Sequence, residues 1–217
     1  MLIRKMLPVS LLLLIVIGLL MVFARKTGST HFNHKPTIAI SEMPELLEGD
    51  LIFRKGRSLV STVVLMNDRA SAFSHVGIVS FKNGEAFVVH AVPGEPDENG
   101  DEKVKCDTPV DFLDEEKASL FAIFRLADED QYKAKVAAHM AMDYYEMGLA
   151  FDKGLDFRSN DKLYCTELVW KAYLKAGINL TNNKFHVLSL KLIADSIILP
   201  GQFIESRLLK QIYPLRE

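Results

Sequence analysis

The chain has 217 residues, a hydrophobic content of 49% and a formal net charge of −2. A weakly acidic chain without a basic stripe or interleaved aromatic residues is not a nucleic-acid-binding protein. There are two cysteines, Cys106 and Cys165. A disulfide between them is one interpretation for an exported protein, but the sequence around Cys165 argues against it.

The N-terminus carries an almost uninterrupted apolar run at residues 7–24, between basic pairs at residues 4–5 and 25–26. Its length is at the short end of the ~17–25 residues that span a bilayer. We therefore predict a membrane anchor at residues 1–24, with a cleaved signal peptide as the alternative because residues 22–24 are compatible with a cleavage site. Either interpretation places the remainder outside the cytoplasm, anchored to a membrane or free in a periplasmic or extracytoplasmic space.

Polar residues and prolines at residues 25–44 predict a linker. Residues 45–217 then form one domain, which is a normal size for a single hydrophobic core. Strands are predicted at residues 50–54, 75–81, 86–92 and 120–125, and helices at 59–66, 129–145, 163–176 and 188–196, with one or two strands after the last helix. In the second helix, Tyr132, Val136, Met140 and Tyr144 recur at four-residue spacing and predict its apolar face. Because strands and helices do not alternate regularly, the fold class is α+β.

A hairpin is predicted around Asn83-Gly84, the strongest short signal for a type I′ turn. If these two residues form the loop, His75 and His90 lie on the same face of the two strands and are diagonal to each other, with Cα atoms about 7–8 Å apart. Gly77 then faces His90 and leaves room for its ring. A slip of one residue would send His90 to the other face. In this register His90 can orient the imidazole of His75, as the third member of a catalytic triad does.

A cysteine, Cys165, lies at the start of the predicted helix at residues 163–176. The positive end of the helix dipole is expected to lower the pKa of its thiol and favour the nucleophilic thiolate. A nearby imidazole, His75, would complete a thiolate–imidazolium pair. The residues themselves therefore predict a cysteine hydrolase.

Four segments also resemble a known family: G-D-L-I-F at residues 49–53, H-V-G-I-V at 75–79, V-H-A at 89–91 and Y-C-T-E-L-V at 164–169. The first three are similar to the NlpC-like cysteine peptidases, in which the nucleophile normally precedes this block. Here the cysteine follows it, as in the circularly permuted, YiiX/YaeF-like branch of the papain-fold amidases. The resemblance extends over roughly residues 47–176.

The resemblance implies a permuted papain-like α+β fold, in which an antiparallel sheet packs against the cysteine-bearing helix. It implies that Cys165 is the nucleophile, that His75 is the general base and acid, and that His90 orients His75. No cofactor or metal is implied. The expected reaction is hydrolysis of an amide through a thioester, with a cell-wall peptide or another acyl amide as substrate.

Three further residues near these motifs have two interpretations each. Tyr164 either contacts the oxyanion or the substrate, or is a packed aromatic residue. The carboxylates of Asp50 and Glu167 are expected to be structural, as helix caps or ion-pair partners, rather than catalytic.

Other functions remain open at this stage. The permuted branch also resembles lecithin:retinol acyltransferase-like enzymes, so a lipid acyl hydrolase or acyltransferase is the main alternative, and an N-terminal anchor suits a lipid substrate. A zinc site formed by His75, His90 and Cys165 lacks a fourth ligand. A non-catalytic binding module is disfavoured because all three candidate catalytic residues are present.

Overall fold

The computed structural model describes residues 43–127, 130–187 and 196–216. Ten strands and five helices occur in this part of the chain. In chain order they are β1 (Leu51–Gly56), α1 (Leu59–Asn67), β2 (His75–Lys82), β3 (Glu85–Ala91), β4 (Val104–Asp107), α2 (Pro109–Phe112), β5 (Ala118–Leu126), α3 (Gln131–Glu146), β6 (Ala150–Phe151), β7 (Lys162–Leu163), α4 (Cys165–Lys175), β8 (His186–Val187), β9 (Ser196–Ile197), α5 (Pro200–Ile204) and β10 (Leu209–Arg216).

Several predicted segments lie outside the described residues. They are the anchor at residues 1–24, nearly all of the linker at 25–44, and the helix at 188–196 except for its last residue. Among the residues that the structure describes, no helix combines the length and the apolar character needed to cross a bilayer.

The main sheet has six strands in the order β10-β5-β1-β2-β3-β4, and each neighbouring pair is antiparallel. The β2–β3 hairpin turns at Asn83 and Gly84, whose φ angles of 55° and 85° are those of a type I′ turn. Lys82 lies opposite Glu85 in this hairpin. The predicted turn and the predicted register are therefore confirmed, and the α+β fold has the antiparallel sheet that the sequence indicated.

The two faces of the sheet are covered by different elements. The helix-covered face packs against α3 and α4, and its sheet residues include Leu51, Val76 and Val89. The opposite face, which we call the histidine face, packs against α2 through Phe112, and its apolar sheet residues are Ile52, Val79, Val88, Phe121 and Ile123. Because side chains alternate along a strand, His75 and His90 belong to the histidine face.

Helix α3 buries its small residues most deeply. Its fully buried residues are four alanines, Ala134, Ala137, Ala138 and Ala141. Of the residues predicted for its apolar face, Met140 and Tyr144 are half-buried and pack against the core, whereas Tyr132 is 77% exposed and was wrongly predicted. The alanines let the helix approach the neighbouring backbone closely. A Cβ at Gly49 would lie only 2.7 Å from the Cβ of Ala134.

The carboxylates of Glu167 and Asp50 have the structural contacts that were predicted for them. One oxygen of Glu167 accepts a hydrogen bond from the backbone N–H of Tyr164 at 3.2 Å, and the other lies 2.8 Å from Nζ of Lys171. Burial raises the pKa of Glu167 to about 7, although Lys171 acts in the opposite direction. Asp50 accepts two hydrogen bonds from Arg125, at 2.7 and 2.8 Å. These contacts cap α4 and join β1 to β5.

Candidate active site

The β2–β3 hairpin brings two imidazoles into contact. His75 begins β2, and the observed register, continued from the pair Ile78–Val89, places His90 opposite Gly77. A Cβ at Gly77 would press on the side chain of Val88 and lie 3.2 Å from the Cβ of His90. A residue larger than glycine at this position would therefore crowd the side chain of His90. Nε2 of His75 lies 3.0 Å from Nδ1 of His90, and the rings meet edge to face. The predicted diagonal contact is confirmed.

A third residue, Asp107, extends this pair and was not predicted. It lies on β4, which pairs with β3 and was not recognised as a strand. Nε2 of His90 is 3.1 Å from Oδ2 of Asp107, and Nζ of Lys105 is 3.3 Å from the same oxygen. Burial acts to raise the pKa of Asp107, but the hydrogen bond from His90 and the charges of Lys105 and Lys117 outweigh it and hold the pKa well below its usual value. Asp107 is therefore an ionised hydrogen-bond acceptor at neutral pH.

The ionised carboxylate determines where the protons of both rings lie. Burial lowers the pKa of both histidines, and Arg54 lowers both further, whereas Asp107 acts in the opposite direction on His90. Both pKa values stay below the usual value, so both rings are neutral at pH 7. A carboxylate can only accept, so His90 donates from Nε2 to Asp107 and its Nδ1 carries a lone pair. That lone pair accepts the proton of His75 Nε2. The neutral His75 ring is left with an unprotonated Nδ1, which is the form that a general base requires.

A buried arginine, Arg54, lies next to the histidine pair. Arg54 lies opposite His75 in the sheet register and is 2% exposed. It donates to the backbone oxygen of Phe112 at 2.7 Å and to Glu95 at 2.6 Å. The Phe112 ring lies under the guanidinium at 4.6 Å, and its centroid is 5.6 Å from that of His75 and 4.9 Å from that of His90. This arrangement fixes both rings and disfavours their protonation.

The cysteine is placed at the first position of α4, as predicted. Cys165 and Cys106 are both free thiols, so they do not form the disulfide that was considered. Burial raises the pKa of the Cys165 thiol, although the backbone N–H groups of Val76 and Thr166 donate to the sulfur and act in the opposite direction. The expectation of a lowered pKa was wrong, because desolvation of the thiolate outweighs these donors.

The sulfur of Cys165 lies at the beginning of β2, next to the residue that follows His75. Val76, whose N–H points to the sulfur of Cys165, directly follows His75. The helix lies on one face of the sheet and the rings lie on the other, so the thiol approaches His75 around the end of the strand. No hydrogen bond joins the thiol to the ring within the described part of the chain. In ligand-free active sites such bonds are often long and tighten when substrate binds.

Tyr164, the other predicted site residue, is 4% exposed. Its hydroxyl accepts a hydrogen bond from the backbone N–H of Ile198 at 3.0 Å, and burial raises its pKa strongly. These contacts give Tyr164 a packing role beside the cysteine. A contact to the oxyanion or the substrate stays a prediction.

The crystal structure of the metalloprotein YiiX from Escherichia coli O157:H7 is similar to this fold, with a TM-score of 0.62 and 22% sequence identity over 77% of this chain and 98% of that chain. That protein is described as a metalloprotein, so we asked whether the present site can hold a metal ion. In the described ranges, no three His, Cys, Asp or Glu side chains are arranged to hold a metal ion. The facing nitrogens of His75 and His90 are hydrogen-bonded to each other instead.

Among curated proteins, none matches this chain. The family described as "Permuted papain-like amidase enzyme, YaeF/YiiX, C92 family" matches residues 45–213, which is most of the sequence and includes every element of the site. The order of the chain agrees with this description, since the histidine strands precede the cysteine helix. This protein therefore belongs to the permuted papain-like amidases of the YaeF/YiiX family.

Proposed function

We propose that this enzyme hydrolyses an amide through a thioester on Cys165, with His75 as the general base and acid. The observation that carries the proposal is the hydrogen-bonded series Asp107–His90–His75, which leaves Nδ1 of His75 unprotonated at the beginning of β2, where the sulfur lies. This series supplies a base in the correct tautomer beside a nucleophile that needs one.

In the first step the sulfur of Cys165 attacks the amide carbonyl carbon while the thiol proton moves to Nδ1 of His75. A raised thiol pKa and a lowered imidazole pKa mean that the resting pair is neutral, so proton transfer accompanies attack. The backbone N–H of Cys165, at the helix start, is the proposed donor to the developing oxyanion. The C–N bond then breaks, and the amine leaves with the proton from His75.

In the second step a water molecule attacks the thioester carbon. His75, again neutral, takes a proton from the water, the C–S bond breaks, and the thiol of Cys165 regains its proton. His90 and Asp107 act through His75: the imidazolium that forms transiently is stabilised by His90, which is itself held by the carboxylate. The substrate proposed first is a peptide amide of the cell wall, which suits an exported protein held by an N-terminal anchor.

Thiol labelling tests the proposed nucleophile without a known substrate. At pH 7 we expect iodoacetamide to alkylate Cys165 at least about tenfold faster than Cys106, because the proposed base His75 can take the proton of Cys165, whereas burial raises the pKa of Cys106 to about 11. His75→Ala should slow labelling of Cys165 and leave Cys106 unchanged, measured by peptide mass spectrometry. Equal rates at the two cysteines, or a Cys165 rate that does not depend on His75, would contradict the assignment.

Removal of the Asp107 charge tests the hydrogen-bonded series. Asp107→Asn is expected to lower kcat/KM by ~10- to 10³-fold. This loss is smaller than the ~10⁴-fold loss that follows when a catalytic histidine takes the wrong tautomer, because the asparagine carbonyl can still accept a hydrogen bond from His90. Asp107 raises the pKa of His90, which is hydrogen-bonded to His75. Without the charge of Asp107 the histidine pair should take up a proton less readily, so the acid limb of the pH–rate profile should also move to lower pH.

The matched control is Asp101→Asn, which removes an exposed carboxylate that is also paired with a lysine, at 2.6 Å from Lys103. It should leave both the rate and the profile unchanged. A lower rate for Asp107→Asn with an unmoved acid limb would show that Asp107 is only structural.

A lipid amide or ester is the second candidate substrate, favoured by the exposed apolar side chains of α1. Leu59 and Met66 on this helix are 59% and 75% exposed, and apolar surface near a catalytic crevice suits an acyl chain. The two candidates are separated by assaying the enzyme against peptidoglycan fragments and against acyl lipids in parallel, with Cys165→Ala as the blank for each. Turnover of one class alone assigns the substrate.

A further inference from the structure

Helix α1 (Leu59–Asn67) is apolar in sequence, yet none of its residues is buried. Leu59, Val60, Val63 and Met66 are 59%, 41%, 38% and 75% exposed. At about 100° per residue these four side chains fall within an arc of roughly 120° on the helix surface. An exposed arc of this kind, formed by neighbouring large apolar residues, marks an interaction surface rather than scattered surface residues.

The exposed charged residues that flank α1 in the sequence have one sign. Lys55 and Arg57 precede α1, Arg69 follows it, and all three are exposed. The one acidic residue between positions 55 and 70, Asp68, is 5% exposed and accepts a hydrogen bond from the backbone N–H of Gly201 at 2.7 Å. An apolar arc flanked by exposed basic residues is the composition of a helix that lies in the surface of an anionic bilayer.

Contacts on the inner side connect α1 to the active site. Val64 packs against Ile197 and Leu199. The backbone oxygen of Ile198, between these two residues, accepts a hydrogen bond at 2.7 Å from the hydroxyl of Thr166, the neighbour of Cys165. A surface that contacts the outer side of α1 would therefore lie on the same side of the domain as the start of α4, where Cys165 lies.

We propose that the exposed arc of α1 is a membrane-contact surface that binds anionic lipid. The apolar side chains enter the boundary between headgroups and acyl chains, and Lys55, Arg57 and Arg69 contact the anionic headgroups. The sequence supports a bilayer as the occupant, because residues 7–24 are a predicted anchor and the 18 residues at 25–42 extend at most about 60 Å. The proposal does not depend on the chemistry of Cys165.

Fluorescence quenching by brominated lipids tests this surface in the full chain. In a Trp170→Phe background, Met66→Trp places the only tryptophan on the arc, and Tyr132→Trp places it on α3 at a position that is 77% exposed. Each variant is reconstituted in vesicles of equal parts phosphatidylcholine and phosphatidylglycerol with brominated acyl chains. We expect Met66→Trp emission to be blue-shifted and quenched at least twofold more than Tyr132→Trp emission.

The charge of the lipid gives a second, independent readout. Vesicles of phosphatidylcholine alone, and the triple substitution Lys55→Glu, Arg57→Glu and Arg69→Glu, should each reduce the quenching of the Met66→Trp reporter to the level of the Tyr132→Trp control. Cys165→Ala should leave the quenching unchanged, so a failure of the catalytic assignment is distinguishable from a failure here. Equal quenching of the two reporters overturns the proposal. A blue-shifted but unquenched Met66→Trp emission also overturns it, since the arc is then covered by protein.

Discussion

Replacing Cys165 with alanine is expected to lower amide hydrolysis by at least about 10⁴-fold, to the background of the assay. The substitution removes the one atom that forms the thioester, and the remaining Asp107–His90–His75 series has no nucleophile to activate. The measurement is kcat/KM on the amide identified by the substrate panel. Intact-mass detection of the acyl-enzyme accompanies it, and the adduct should be absent from the variant.

The matched control is Cys106→Ala, which removes the other half-buried free thiol and should retain wild-type turnover. Circular dichroism of both variants should show an unchanged fold, since α4 is also held by the hydrogen bonds of Glu167 and Thr166 and by its buried apolar residues. Wild-type hydrolysis by a correctly folded Cys165→Ala variant would exclude the thioester mechanism.

Replacing His75 with alanine is expected to lower kcat/KM by ~10²- to 10⁴-fold, the contribution that general acid–base catalysis typically makes. Burial, Arg54 and His90 hold the pKa of His75 well below its usual value. The wild-type rate should therefore stay constant as the pH falls through 6.5 and decline only when the ring becomes protonated at a lower pH. The pH–rate profile should lose this acid limb in the variant.

Free imidazole in the assay distinguishes a lost base from a disturbed fold. It should restore part of the activity of His75→Ala, because imidazole can occupy the space that the ring leaves and act there as the base, and it should not affect Cys165→Ala. The control substitution is His139→Ala, which removes a histidine whose side chain is 58% exposed and should leave the rate unchanged. A His75→Ala variant that keeps the wild-type acid limb would assign the limb, and the base, to another residue.

Local patterns explain why much of the site was predictable. The Asn83-Gly84 turn requires two residues with positive φ, and this requirement alone fixes the pairing of β2 with β3 and hence the diagonal contact of His75 and His90. The position of Cys165 at a helix start is likewise a property of its own segment. In each case the determining interaction lies within about fifteen residues of chain.

Interactions between distant segments explain what the sequence did not reveal. Asp107 becomes a partner of His90 only because β4 pairs with β3, and β4 is four residues long with little hydrophobic pattern of its own. Arg54 lies in a strand whose other residues are mostly apolar. Its contacts with Glu95 and Phe112 depend on a loop and on helix α2, which follow more than 40 residues later in the chain.

The amino-acid sequence alone determined the permuted order of the histidines and the cysteine along the chain. It also determined the α+β class and the hairpin register, because these depend on short-range backbone preferences and on alternating side-chain polarity. Only the tertiary structure decided how these groups ionise. Burial raises the thiol pKa of Cys165 despite its position at the helix start. Burial and Arg54 keep the histidines neutral, while the ionised Asp107 fixes their tautomers by accepting from His90. Desolvation and charge–charge distances depend on the packing of the whole domain, and no local pattern records them.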